Sequence, residues 1–188
     1  MKKYGSLLFL ITCTAILWAQ EQVQIDLLIT DSTWKKEVFQ FPLSFAPDIP
    51  FEGMEEARFP KRWADTTSTD CWSYVFAWDI KRLSAITERE LEDNLQLYFD
   101  GLMGWQYTNA LLLKTEDVAG STKYRGKIKT FDAFFSKKTM TLNVLIEVQY
   151  CSQRKKSIVF FRFSPQGFEH EIWHKLNSVT LRSPECEP

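Results

Sequence analysis

Glycine and histidine are scarce in this chain: seven and two of 188 residues. So few glycines leave little material for backbone phosphate cradles, and neither a P-loop nor a G-x-S-x-G nucleophile elbow occurs. Basic residues number 23 against 24 acidic ones, with no basic block long enough to track phosphates. Nucleic acid is therefore not an expected partner. Four cysteines stand without a C-x-x-C metal signature. No internal repeat or low-complexity stretch is present. No apolar run reaches the about 20 residues that a lasting transmembrane helix needs.

The apolar run that does occur starts the chain. Lys2 and Lys3 precede Leu7–Trp18, which ends at the small residue Ala19 before the polar Gln20 and Glu21. This is the layout of a secretory signal peptide, with cleavage expected after Ala19. Residues 1–19 hold two of the 23 basic residues and none of the 24 acidic ones, so residues 20–188 carry a net charge of −3. The signal region resembles that of exported Bacteroidetes proteins, which implies a secreted or periplasmic location. Leu10-Ile11-Thr12-Cys13 offers an alternative, a lipobox that would anchor the chain through acylated Cys13. Thr12 is bulky for that role, and the apolar run continues past the cysteine.

Past the signal, three cysteines remain: Cys71, Cys151 and Cys186. In an oxidising compartment one disulfide and one leftover thiol are expected. Both Cys71 and Cys151 end strand-like runs, and the tail SPECEP can fold back, so Cys151–Cys186 is the favoured pairing. Fifteen phenylalanines and seven tryptophans supply a large apolar payload.

Hydrophobic periodicity organises the rest. Val23–Ile29 alternates as a first strand, and EVFQFPLSF places Phe39, Phe41, Leu43 and Phe45 at period two, with Pro42 marking an edge. Residues 46–70 read as the longest irregular segment, broken by three prolines and scattered charges. In CWSYVFAWDI, Trp72, Tyr74, Phe76, Trp78 and Ile80 share one face, while Val75 and Ala77 on the other are small enough to lie beneath a helix. Thr87-Glu88-Arg89-Glu90 is a capping box, followed by the stripe Leu91, Leu95, Tyr98, Phe99 and Leu102. Four strand-like runs follow (QYTNALLLK, KYRGKIKTFDAFF, MTLNVLIEVQYC and KSIVFFRF), and helical period returns from Pro165 to Val179. The order predicts an α+β domain over residues 20–188, an antiparallel β-sheet with two main helices packed on it.

Through FQFPLSF and FRFSPQGFEHEIWHKLNSV, that element order resembles the Mog1/PsbP-like sandwich. The resemblance implies a sheet closed by a C-terminal helix, and accessory or binding roles rather than catalysis.

His170-Glu171-Ile172-Trp173-His174 matches H-E-x-x-H, in which two histidines on one helical face bind zinc and the glutamate polarises water. A zinc-dependent hydrolase with His170 and His174 as ligands and Glu171 as base is thus the alternative reading. Against it, no third histidine exists, and Glu185 and Glu187 are the only acidic residues downstream. On a wheel advancing about 100° per residue, Phe168, Ile172, Leu176 and Val179 share a face, with the histidines almost opposite. The expected reading is a solvated helix face, with no cofactor. A nucleophilic Cys71 would need a nearby histidine, and the sequence suggests none.

Aromatics in the irregular segment carry the functional expectation. Phe59, Arg62 and Trp63 are the candidate contact residues for a sugar ring or a partner protein's apolar side chain. Trp105, past the first helix, is a second aromatic of the same kind. The sequence thus predicts an exported, non-enzymatic binding or accessory domain of the cell envelope.

Overall fold

The computed structural model describes residues 26–118 and 120–182. The expected signal segment, Cys13 and Cys186 lie outside the described residues. Strand β1 (Leu28–Ile29) is followed by β2 (Lys35–Gln40), β3 (Gly53–Phe59) and β4 (Tyr74–Lys81). Helix α1 (Glu88–Met103) leads to β5 (Asn109–Val118), β6 (Ser121–Phe131), β7 (Thr139–Cys151) and β8 (Lys156–Ser164). Helix α2 (Ile172–Asn177) and β9 (Thr180–Leu181) complete the described elements.

Seven strands form one antiparallel sheet in the order β2-β3-β4-β8-β7-β6-β5, and β1 pairs with β9 in a two-stranded ribbon. Helix α1 carries the chain from interior strand β4 to the far edge at β5. A meander through β6 and β7 then brings β8 back beside β4. The helix starts where the capping box predicts: the Thr87 hydroxyl accepts the Glu90 amide at 3.2 Å, and the Glu90 carboxylate accepts the Thr87 amide at 2.9 Å. It ends at Gly104, in the left-handed conformation that glycine adopts without a Cβ penalty.

The α+β expectation with two main helices is overturned. Strands make up 45% of the structure and helices 14%, and α2 is only six residues long. Two local causes account for the difference. Bends and turns take up residues 165–171 of the stretch with helical period, so helix forms only from Ile172. And the segment read as irregular contains β3, which pairs along its length with β2 and β4.

Alternation along β4 divides the molecule into two apolar layers. Tyr74, Phe76, Trp78 and Ile80 face α1, packing with Leu91, Leu95, Tyr98 and Phe99 and with Phe161 and Phe163 of β8. The rings interlock: Phe76 lies 4.5 Å from Phe161 and 5.0 Å from Tyr98, centroid to centroid. Val75 and Ala77 face the other way and lie beneath Trp34, Ile172, Trp173, Leu176 and Val179. The small residues of β4 are thus matched by bulky ones on α2, and the large residues by a long helix.

The chain between β2 and β3 belongs to the first layer. Phe41, Leu43, Ala46, Ile49 and Phe51 are all buried there. Gly101 of α1 passes so close that a Cβ on it would sit 2.0 Å from the Phe45 carbonyl oxygen. Only glycine permits that approach, and it brings Phe45 to within 5.1 Å of Tyr98, ring to ring.

Candidate functional site

On β3 two glutamates follow one another, Glu55 and Glu56, both fully buried and on opposite faces of the sheet. Glu56 faces the α2 side, where its carboxylate takes the Arg58 guanidinium at 2.6 Å and the Leu27 amide at 2.7 Å. Glu55 faces the aromatic layer and has no cationic partner among the described residues. Its two oxygens accept from neutral donors, the Tyr98 hydroxyl at 2.9 Å and the Trp78 indole N–H at 2.8 Å. Burial pushes its carboxyl up to about 7, against the pull of those two hydrogen bonds, and nearby Glu37 adds to the rise.

Beside Glu55 is a cavity of about 240 Å³. Phe39 and Phe45 come to it from β2 and the following loop, Phe59 from β3, and Tyr98 and Leu102 from α1. Trp63 and Trp72 close it from the chain leading into β4 and Tyr74 from β4 itself, with Phe134 and Glu37 also in the wall. Ring contacts hold the wall together: Phe59 stacks on Tyr74 at 5.4 Å and lies 4.9 Å from Trp63. Phe134, half exposed, sits 5.8 Å from Trp72. It is fixed by Asp132, whose carboxylate accepts the amides of Phe134, Phe135 and Ser136.

Two lining residues carry hydrogen-bonding atoms that the protein leaves unused. The Tyr74 hydroxyl and the Trp72 indole N–H are buried and have no partner among the described residues. Burial, and after it the charge of Glu55, raises the Tyr74 phenol well above its ordinary value, so it stays a protonated donor. Trp72 also takes φ 56°, in the left-handed region. For a bulky residue that conformation costs on the order of 1–3 kcal/mol and is concentrated at functional positions.

Of the three contact residues expected from the sequence, Phe59 and Trp63 line the cavity and Arg62 does not. Arg62 is exposed, its guanidinium bonded to the Asp65 carboxylate at 2.7 and 3.0 Å. The sequence did not single out Glu55, Trp72, Tyr74 or Tyr98 as functional. Period two assigns Trp72 and Tyr74 to the core, and Glu55 lies in a segment without legible period. Trp105 is half exposed, stacked on Phe131 at 5.2 Å and on Tyr107 at 5.8 Å, and does not line the cavity.

The H-E-x-x-H stretch does not form one helical face, because His170 and Glu171 precede α2. The Nδ1 of His170 accepts the Ile172 amide at 3.1 Å, a local bond that starts the helix. Glu171 and His174 are exposed and border an open groove with Asp70 and Lys175, which are themselves paired at 2.7 Å. Among the described residues no three His, Cys, Asp or Glu side chains are grouped to hold a metal ion.

Cys151 is disulfide-bonded and Cys71 is a free, half-buried thiol. Burial pushes the Cys71 thiol up, with Asp132 and Asp65 adding to the rise, a direction that opposes a reactive thiolate. No helix among the described residues is long and apolar enough to cross a membrane. The chain matches no family model, and no curated protein matches it in sequence.

Proposed function

We propose that the protein is an exported binding or accessory module of the cell envelope that takes a small, ring-bearing molecule into the aromatic cavity. The signal-like N-terminus supports export. The buried Tyr74 hydroxyl and Trp72 N–H, both on cavity residues and both without a partner among the described residues, carry the binding reading. Leaving a buried donor unpaired costs about 1–3 kcal/mol. A ligand with an acceptor atom relieves that cost, while its ring replaces water against the apolar wall. The size fits a single substituted ring or a fused pair: an apolar cavity of roughly 150 Å³ accommodates benzene, and this one is about 240 Å³.

Titration calorimetry with 2-naphthol, a fused ring bearing one hydroxyl, tests the reading. Saturable heat is expected for the wild-type protein and none for Leu102→Trp, whose larger side chain fills the cavity while the protein still melts cooperatively. A wild-type protein silent to neutral, cationic and anionic ring compounds alike would overturn it.

A further inference from the structure

We infer that the molecule held in this cavity carries a positively charged nitrogen, an organic ammonium with an aromatic or alkyl body. The inference rests on the binding role proposed above and specifies its ligand class. Eight of the eleven lining residues are aromatic, and the faces of such rings attract cations through their quadrupoles. The other polar members of the wall are two carboxylates, Glu37 from β2 and Glu55 from β3. No lysine, arginine or histidine is among the described lining residues. Around Glu55 stand Glu37, Tyr74 of β4, and Trp78 and Tyr98, which supply its two hydrogen bonds. Glu37 is partly offset by Lys35 at the surface, whereas no cation among the described residues balances Glu55.

The contrast with Glu56, one residue on, is informative. The same strand gives its other buried carboxylate an arginine, and Arg58 is linked in turn to Asp26 at 3.0 Å. A buried carboxylate is stable when neutral or when paired with a cation. On the Glu55 side the protein provides rings in place of that cation. An ammonium ligand supplies the missing charge, and an oxygen on its body meets the Tyr74 hydroxyl and Trp72 N–H. Because the cation pairs with the ionised carboxylate, binding releases a proton from Glu55, and affinity rises with pH through the neutral range.

The test compares benzyltrimethylammonium with neopentylbenzene, its uncharged carbon isostere, by titration calorimetry at pH 8. The expected result is at least tenfold tighter binding of the cation, weakening toward pH 6, with the preference falling to near unity in Glu55→Gln. The glutamine can keep both hydrogen bonds, its oxygen accepting from Trp78 and its amide donating to Tyr98, and the wild-type comparison needs no variant. Equal affinities for the two probes would overturn the cationic class and leave the cavity's binding role standing. A preference that persists undiminished in Glu55→Gln would overturn the part given to Glu55. If neither probe, nor 2-naphthol, nor an anionic ring compound such as 2-naphthoate bound, the binding role itself would fall.

Discussion

Glu55 makes stability depend on pH in a direction opposite to that of an ordinary salt-bridged carboxylate. Its value is raised in the folded protein from 4.5 to about 7, so the folded state holds a proton that the unfolded chain has released. The stabilisation is complete below about pH 4.5 and is lost as pH rises through 7. That gap corresponds to about 3 kcal/mol as an upper figure. The melting temperature should therefore fall between pH 5 and pH 8 in the wild-type protein without ligand, and Glu55→Gln should flatten that fall; an equally steep slope in the variant would place its origin elsewhere. Tyr74 allows a second check. Its hydroxyl has no partner among the described residues to lose, so Tyr74→Phe should leave stability unchanged or raise it by up to about 1 kcal/mol. The same variant should weaken 2-naphthol binding several-fold, and chemical denaturation together with calorimetry separates the two effects.

At the scale of elements, the junction between α1 and the loop after β2 shapes the cavity. Gly101→Ala puts a methyl group onto the Phe45 carbonyl and must move either the helix or the loop. A loss of about 1–3 kcal/mol is expected in urea denaturation, together with loss of ligand binding, since Phe45, Tyr98 and Leu102 all line the site. Thr87→Ala removes the capping hydroxyl far from the cavity and should cost about 1 kcal/mol with binding intact. The same elements explain what was legible beforehand. Helix α1 announces itself through a capping box and an unbroken stripe, and β4 to β8 through strict alternation or β-branched and aromatic runs. Strand β3 was hidden because its central residues, Glu55 and Glu56, are charged on both faces, so FEGMEEARF has the composition of a loop. One of the two residues that hide the strand, Glu55, is also at the centre of the candidate site, where folding rules are most often broken for function. Phe59 and Trp63 were visible only because aromatics without a periodic role stand out. Arg62 stands beside Trp63 in the sequence but is held at the surface by its ion pair with Asp65.

Across the whole molecule the two apolar layers are unequal. The α1 layer holds most of the buried rings, whereas the α2 layer rests on a six-residue helix and a ribbon of two-residue strands. Amide hydrogen exchange should be slowest in β4 and β8, which are paired on both sides, and fastest in β1 and β9; comparable protection throughout would show that the layers open together. The expectation of two main helices failed at this scale too, since periodicity locates a helical stretch without revealing that turns consume most of it. Adjacent buried carboxylates also have a consequence for assembly. Strand pairing is ambiguous by whole residues unless something penalises a slip. Moving β3 by one position would turn Arg58 and Glu56 into the rings and strand Glu55 beneath α2. Moving it by two would keep each face but carry Glu55 away from Trp78 and Glu56 away from the Leu27 amide. Glu55 and Glu56 therefore act as a two-sided key that fits one alignment of the sheet, so the chemistry that equips the cavity also proofreads the fold around it.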